Sequence, residues 1–142
     1  MIGASRATAQ DLADAEAVGR LLGEAGAVVV CGGRGGVMAA ASKGCAEAGG
    51  EVIGMLPGPD RSDANEWVTI GIPTGLGELR NGLIARTADA MIAIGGAYGT
   101  LSEIALGLHG GKPVFGLHTW EVDGVVVVAD PAAAVAGALD RR

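Results

Sequence analysis

The 142-residue sequence is poor in aromatic residues and in positive charge, and it lacks a long apolar run. One Phe and one Tyr are too few for a surface that stacks single-stranded nucleic acid. A formal net charge of -6 also argues against nucleic acid, because a phosphate backbone attracts a basic surface. No apolar run approaches the ~20 residues of a membrane span, and the N-terminus has no signal-peptide pattern. We therefore predict neither a nucleic-acid partner nor membrane association.

Cysteine is equally scarce, with only Cys31 and Cys45 in the chain. Their spacing fits neither a zinc site nor a CxxC redox motif, so the simpler prediction is two free thiols in a reducing cytoplasm. The two histidines, His109 and His118, have no partner at catalytic or metal-binding spacing. We accordingly expect a cytoplasmic protein without a metal site.

Glycine, by contrast, is abundant, with 26 residues, and hydrophobic residues make up 49% of the chain. Glycine shows no G-X-Y period, and this apolar content excludes both a collagen-like and a disordered chain. A chain of this length can bury one sizeable core and is too short for two ordinary domains. The sequence therefore predicts one domain over residues 1–142.

Short apolar runs alternate with helical patterns along the chain. The apolar runs predict strands at residues 1–3, 27–31, 52–56, 68–72, 90–94 and 113–117. The helical patterns predict helices at about residues 9–24, 36–48, 77–88, 99–108 and 131–139. Several strands are apolar almost continuously, as expected when both faces of a parallel sheet are covered. The prediction is an α/β fold: a single doubly wound, Rossmann-like parallel sheet with helices on both faces.

Two glycine-rich turns, at residues 32–36 (GGRGG) and 95–100 (GGAYGT), each follow a predicted strand and open a helix. Glycine permits a positive φ and a close approach of ligand to backbone, and a helix N-terminus attracts phosphate. For one turn alone, a purely structural role in tight turning is an equal alternative, but two turns at one sheet edge favour a shared phosphorylated ligand. The predicted ligand-binding residues are Gly32, Gly33, Gly35, Gly36, Gly95, Gly96, Gly99 and Thr100.

The first turn does not match a dinucleotide-binding fingerprint. Residues 32–36 do not fit G-x-G-x-x-G, and no acidic residue ends the run at 52–56 to hold a ribose hydroxyl, which disfavours a classical NAD site. A P-loop G-K-[ST] is also missing from the sequence. Arg34, within the turn, either clamps a phosphate or lies in solvent, the commoner fate of a lone loop arginine.

Two charged residues near the second turn are candidates for catalysis. Glu103 lies one helical turn beyond the glycines, at the mouth of the predicted pocket. Alternatively, Glu103 is part of a capping box. In that motif the Thr100 side chain accepts a hydrogen bond from the Glu103 backbone N–H, and the Glu103 side chain accepts one from the Thr100 backbone N–H. Arg80 lies near the edge of an apolar helical stripe, and its alternative role is a surface arginine in a weak ion pair.

These residues together resemble the Lonely-Guy (LOG) family, whose hallmark is P-G-G-x-G-T-x-x-E after a strand, with an R-K pair on the preceding helix. Residues 95–103 (GGAYGTLSE) follow this hallmark, with glycine and alanine in place of its proline and second glycine. Arg80 and Asn81 stand where the family has the R-K pair, with asparagine replacing lysine. Residues 32–38 (GGRGGVM) are similar to the family's first turn, and the resemblance extends from residue 3 to about residue 117.

Other stretches resemble a different branch of the same superfamily, the molybdenum-cofactor-carrier-like Rossmann nucleotide-binding proteins. These stretches are residues 56–58 (LPG), 60–62 (DRS), 64–65 (AN), 72–75 (IPTG) and 80–81 (RN). The best-known members of this branch bind molybdopterin cofactor without transforming it.

The two resemblances imply different functions for one phosphate site. The LOG resemblance implies hydrolysis of the N-glycosidic bond of a nucleoside 5′-monophosphate, with Glu103 stabilising the ribosyl cation and directing water while Arg80 orients Glu103 and the ribose. The carrier resemblance implies binding alone, with Glu103 only capping the helix, and a nucleotide-sensing module is a third alternative. Both imply a homodimer or larger homo-oligomer. We predict first a binder of a phosphorylated ligand (an AMP-like nucleotide, phosphate or molybdopterin cofactor), with no cofactor required.

Overall fold

A computed structural model of the chain describes residues 1–140, so the last two residues of the predicted 1–142 domain lie outside the described part. The strands are β1 (Ile2–Gly3), β2 (Val29–Cys31), β3 (Val52–Leu56), β4 (Ile70–Pro73), β5 (Met91–Ile94), β6 (Val114–Leu117) and β7 (Val125–Val127). The α-helices are α1 (Ala9–Glu24), α2 (Val37–Glu47), α3 (Asn81–Thr87), α4 (Tyr98–His109) and α5 (Pro131–Leu139). A short 3-10 helix, Gly77–Arg80, leads into α3.

The predicted α/β class is confirmed, and the strands pair in parallel. The strands nevertheless form two sheets, in the orders β2-β3-β4 and β1-β5-β6-β7, so the prediction of a single sheet is wrong in this respect. The two sheets meet where the Met1 amino group donates to the Val30 carbonyl of β2 at 2.8 Å. At this division β1 contributes only Ile2 and Gly3, and both residues pair with β5.

Helices cover both faces of the strands and enclose two separate cores. Helix α1 packs against both α2 and α5, and α3 packs against α4. The alternation of side chains along β5 feeds both cores: Ile92 and Ile94 join the cluster under α1, α2 and α5, whereas Met91 and Ala93 join the cluster under α3 and α4. This burial on both faces explains why β5 is apolar at every position.

Two strands differ from the sequence prediction. The fourth strand occupies Ile70–Pro73, two residues later than the start of the predicted run at 68–72. The edge strand β7 lies outside every predicted strand; it pairs with β6 and leaves Val127 77% exposed. Among residues 1–140, no helix combines the length and the apolar character that crossing a bilayer requires.

Candidate functional site

A cavity of about 260 Å³ lies at the carboxyl ends of β1 and β2, beside the N-terminus of α4. Its walls come from β1 and the turn after it, from the first glycine turn, from the 3-10 helix with the start of α3, and from the first two turns of α4. These segments are far apart in sequence and meet because parallel strands place their carboxyl ends at one edge. The cavity is thus where an α/β fold of this kind holds a ligand.

The first glycine turn lies against the turn that follows β1. Gly33 and Gly36 have φ angles of 77° and 65°, which favour glycine. A Cβ added at Gly36 would lie 2.3 Å from the Ala4 carbonyl oxygen, so glycine is also needed here for space. The next residue, Val37, donates its backbone N–H to the same Ala4 carbonyl at 2.9 Å. The start of α2 is therefore anchored to β1 at the edge of the cavity.

The second glycine turn starts α4 earlier than the sequence predicts. Gly95 and Gly96 have φ angles of 59° and 111°, and a Cβ added at Gly96 would lie 2.3 Å from Thr100 Oγ1. The chain turns so tightly that α4 begins at Tyr98, with Ala97 as its N-cap and no side-chain capping bond. The alternative of a capping box between Thr100 and Glu103 is therefore wrong, because both residues lie within the helix.

The first turn of α4 offers unbonded backbone N–H groups beside the cavity. The first N–H that bonds within the helix is that of Leu101, which donates to the Ala97 carbonyl at 3.1 Å. The N–H groups of Tyr98, Gly99 and Thr100 precede it and have no intrahelical partner. Of these residues, Gly99 lines the cavity. Together with the helix dipole, these groups can bind an anion.

Arg80 is buried at the cavity wall rather than exposed on the surface. It is 7% exposed, and its Nε donates to the Met55 carbonyl at 2.8 Å. A second guanidinium nitrogen donates to the Asn81 side-chain oxygen. Asn81 Nδ2 in turn donates to Ser102 Oγ at 3.2 Å. Asn81, which replaces the lysine of the LOG motif, thus connects Arg80 to α4.

Glu103 is the buried acid of the cavity, with 8% of its surface exposed. Burial raises its pKa from the usual value of 4.5 to about 7. The positive charges of the Met1 amino group and Arg80 lower this pKa, and the Glu78 carboxylate raises it, but loss of solvation has the largest effect. In the described part of the chain, Glu103 and Arg80 do not form a salt bridge. Near neutral pH, the carboxyl group therefore exchanges readily between its charged and neutral forms.

The predicted site residues divide between the cavity wall and its support. Gly32, Gly35, Gly99, Arg80 and Glu103 line the cavity; Gly33, Gly36, Gly95, Gly96 and Thr100 do not.

Arg34 and Ser5 also reach the cavity, as does Glu78, which the sequence analysis does not single out. Glu78 belongs to the 3-10 helix Gly77–Arg80. The sequence predicts an α-helix at 77–88, and an α-helical pattern does not give the direction of a side chain in a 3-10 helix. Across residues 1–140, no group of three His, Cys, Asp or Glu side chains is arranged to hold a metal ion.

Comparison with solved structures relates this geometry to proteins that hold a molybdenum-containing ligand. The molybdenum cofactor binding protein from the phototrophic bacterium Rippkaea orientalis is 35% identical, with a TM-score of 0.90 over 95% of this chain and 90% of that chain. The molybdenum cofactor carrier protein from Chlamydomonas reinhardtii is 36% identical, with a TM-score of 0.88 over 96% of this chain and 91% of that chain.

Comparison of sequences leads to the same superfamily. An uncharacterized protein from Archaeoglobus fulgidus is 40% identical over 136 residues, which cover 95% of this chain and 89% of that protein. The SLOG cluster4 family model matches residues 1–136. The resemblance to LOG-like and carrier-like proteins is thus confirmed at the level of the superfamily, and this chain belongs to the SLOG cluster4 family.

Proposed function

We propose that this protein is a carrier of the molybdenum cofactor and holds the cofactor's phosphate in the cavity between the two glycine turns. The observation that carries the proposal is that the first glycine turn, Arg34 and the N-terminus of α4 meet at one cavity. Support comes from the likeness to the Rippkaea orientalis and Chlamydomonas reinhardtii proteins, which are described as binding or carrying this cofactor.

The cavity contains groups suited to a phosphate. The unbonded N–H groups at the start of α4 lie at the positive end of the helix dipole, which favours an anion. Arg34 forms neither a salt bridge nor a side-chain hydrogen bond within the described residues, so its guanidinium is available to a ligand. Guanidinium pairs strongly with phosphate through two parallel hydrogen bonds. Arg80 is already engaged by Met55 and Asn81 and serves mainly as a fixed positive charge.

The size of the cavity and the protonation of Glu103 also suit an anionic ligand that is enclosed at one end only. Whole small molecules occupy pockets of roughly 300–1,000 Å³, so a cavity of about 260 Å³ suits the phosphate-bearing end of the cofactor. The remainder of the ligand then extends through the open side. With its pKa raised to about 7 by burial, Glu103 is partly neutral at physiological pH, which reduces its repulsion of an anion.

A second candidate function is the hydrolysis of a nucleoside 5′-monophosphate. The observation that favours it is that Glu103 and Arg80 line the same cavity. In this reaction water adds to C1′ of the ribose as the bond from C1′ to the base nitrogen breaks, and the base leaves with a proton. The ionised form of Glu103 would stabilise the ribosyl cation and direct the water, and a pKa of about 7 suits proton transfer at neutral pH.

The deciding experiment compares retention of the cofactor with release of a base. The protein is purified from cells that make the cofactor and is analysed by mass spectrometry for pterin, then incubated with AMP and analysed by chromatography for adenine. We expect the wild type and Glu103→Gln to retain pterin equally and to release no adenine. Release of adenine by the wild type but not by Glu103→Gln would establish the hydrolase instead. Purified wild type without pterin would contradict the carrier.

A pair of substitutions at Gly99 tests the position of the site. A Cβ added at Gly99 would lie 3.9 Å from its nearest neighbours, at Asn81 and Glu78, so Gly99→Ala fits without strain. Gly99→Leu extends a larger side chain into the cavity. We expect Gly99→Ala to retain pterin and Gly99→Leu to lose it while remaining folded by circular dichroism. Equal retention by the two variants would mean that the ligand lies elsewhere.

We further propose that residues 1–142 act as one domain, in the cytoplasm, as a homo-oligomer. Buried free thiols at Cys31 and Cys45 suit a reducing compartment. An apolar groove on the 3-10 helix, α3 and α4 offers a surface for a second copy of the chain. Large apolar side chains line this groove: Leu76, Leu79, Leu83 and Leu106.

A further inference from the structure

The loop between β3 and β4 contacts the first glycine turn through Asn65. The Asn65 backbone N–H donates to the Gly33 carbonyl at 2.8 Å, and its side-chain Nδ2 donates to the Arg34 carbonyl at 2.9 Å. One residue from a distant loop therefore holds two consecutive carbonyl groups of the turn. The resemblance to carrier-like proteins includes Asn65 only as part of a sequence stretch and assigns it no role.

The Asn65 side chain is itself held in place. Its Oδ1 accepts the Trp67 backbone N–H at 2.9 Å, and its Nδ2 lies 3.5 Å from Ser42 Oγ. Ser42 Oγ lies 3.6 Å from Cys31 Sγ, and Cys31 Sγ accepts the Gly33 N–H at 3.3 Å. The contacts form a connected polar network that supports the turn from the end of β2, from α2 and from the loop.

The geometry of the peptide bond determines what this support does to the neighbouring N–H groups. The described peptide bonds include no cis bond, and in a trans peptide unit the N–H is directed opposite to the C=O. The Gly33 carbonyl shares its unit with the Arg34 N–H, and the Arg34 carbonyl shares its unit with the Gly35 N–H. With both carbonyls bonded to Asn65, both N–H groups are directed away from Asn65.

The cavity borders the turn at the two residues that carry these N–H groups. Arg34 and Gly35 line the cavity, and Asn65 is not part of its wall. Two successive backbone N–H groups directed to one side form a concave site for an anion. A turn with four glycines among residues 32–36 has little conformational preference of its own, so its direction depends on such external hydrogen bonds.

We propose that Asn65 is a positioning residue that directs the N–H groups of Arg34 and Gly35 into the cavity as an anion-binding pair. The proposal rests on the proposed function, because the phosphate of the carried ligand is the anion that this pair would bind. It adds a second phosphate-binding element opposite the N-terminus of α4. It gives a loop outside the cavity wall a part in ligand binding.

Two substitutions at Asn65 test the proposal, with Ser62→Ala as a matched control in the same loop. Asn65→Asp keeps an oxygen to accept the Trp67 N–H and keeps the backbone bond to Gly33, but it can no longer donate to the Arg34 carbonyl. Asn65→Ala removes the side-chain bonds without adding charge. Ser62 donates hydrogen bonds from its backbone N–H and its hydroxyl to Asp60, and among the described residues it forms none with the turn. Three quantities are measured for each protein: calorimetric affinity for inorganic phosphate, NMR order parameters of the Arg34 and Gly35 amides without ligand, and the melting temperature.

We expect Asn65→Ala to bind inorganic phosphate about fivefold more weakly and Asn65→Asp at least tenfold more weakly, because its carboxylate also repels the carbonyl and the anion. Order parameters of the two amides should fall from about 0.85 to below about 0.6. Ser62→Ala should match the wild type in both, and a similar melting temperature for Ser62→Ala and Asn65→Ala would exclude general destabilisation as the cause.

Two results separate this proposal from the proposed function. Unchanged phosphate affinity and unchanged order parameters in both Asn65 variants would overturn the role of Asn65. Wild-type protein that binds neither inorganic phosphate nor the cofactor would refute the carrier function and the anion-binding part of the proposal. Because the order parameters are measured without ligand, they decide in that case whether Asn65 holds the turn.

Discussion

At the scale of single residues, Glu103 illustrates how a site can combine burial with chemical access. Its carboxyl group lines the cavity but is shielded from most of the solvent, so the charged form is poorly hydrated. The nearby positive charges do not fully compensate, and the pKa is raised to about 7. An acid whose pKa is raised by folding lowers the free energy of unfolding at any pH above its pKa in the unfolded chain. The reason is that the unfolded chain ionises there more readily than the folded protein.

The first prediction concerns the pH dependence of stability in Glu103→Gln. Between about pH 4.5, where this group ionises in the unfolded chain, and pH 7, where it ionises in the folded protein, the folded state holds the proton more tightly. Stability that Glu103 contributes in acid is therefore lost as the pH rises through this window. We expect the free energy of unfolding of the wild type to fall relative to Glu103→Gln by about 3 kcal/mol between pH 4 and pH 8. Urea denaturation at each pH measures this difference, and a constant difference would contradict the raised pKa.

At the scale of elements, helices α1 and α2 approach each other more closely than side chains usually permit. A Cβ added at Gly19 of α1 would lie 2.0 Å from the Ala41 carbonyl oxygen, and one at Gly44 of α2 would lie 2.1 Å from the Glu16 carbonyl oxygen. Two glycines, one from each helix, therefore let the backbones touch. Since α2 starts directly after the first glycine turn, this contact also fixes the direction in which the turn leaves β2.

The second prediction tests this contact with Gly19→Ala, for which Gly82→Ala in α3 is the matched control. The added methyl at Gly19 forces the two helices apart, and we expect a loss of about 2–3 kcal/mol in the free energy of unfolding. A Cβ at Gly82 meets nothing within 4 Å, so alanine there should raise stability by about 0.5–1 kcal/mol through its higher helix propensity. Guanidinium denaturation compares the two variants. A neutral Gly19→Ala would show that the helices can separate without cost.

At the scale of the whole molecule, the exposed apolar surface is unevenly distributed. Leu79, which lines the apolar groove on the 3-10 helix, α3 and α4, is 78% exposed. Tyr98, 81% exposed at the start of α4, stacks on Trp120 with ring centroids 5.9 Å apart. Contiguous exposed apolar surface is typical of protein–protein contacts. These elements also form part of the cavity wall, so a second copy bound here would lie close to the ligand site.

The third prediction tests this surface with Leu79→Lys. A lysine at the centre of an apolar interface would be left without water or a partner charge, so the dimer should dissociate. Val127→Lys, at an equally exposed position of 77% on β7, is the control and should leave assembly unchanged. Sedimentation velocity at micromolar concentration should give a dimer or larger oligomer for the wild type and the control, and a monomer for Leu79→Lys. A monomeric wild type would contradict the proposal.

Local patterns in the sequence were sufficient for most of the elements and for the position of the two glycine turns. The helical periodicity at 9–24 and 131–139 coincides with α1 and α5 as observed. Both glycine turns lie beside one cavity, because strand polarity in an α/β fold places such turns at the same edge. Hydrophobic periodicity and the steric freedom of glycine act within a few residues, so the sequence by itself determined these features.

Only the tertiary structure decided how the site is built in detail. Thr100–Glu103 has the local pattern of a capping box, yet α4 already begins at Tyr98, and a capping box forms instead at Thr8 with Asp11. The raised pKa of Glu103 depends on segments that bury it from other parts of the chain. The support of the first glycine turn by Asn65 and the division into two sheets have the same origin. Contacts between distant residues, and the loss of water that accompanies them, exist only once the chain has folded.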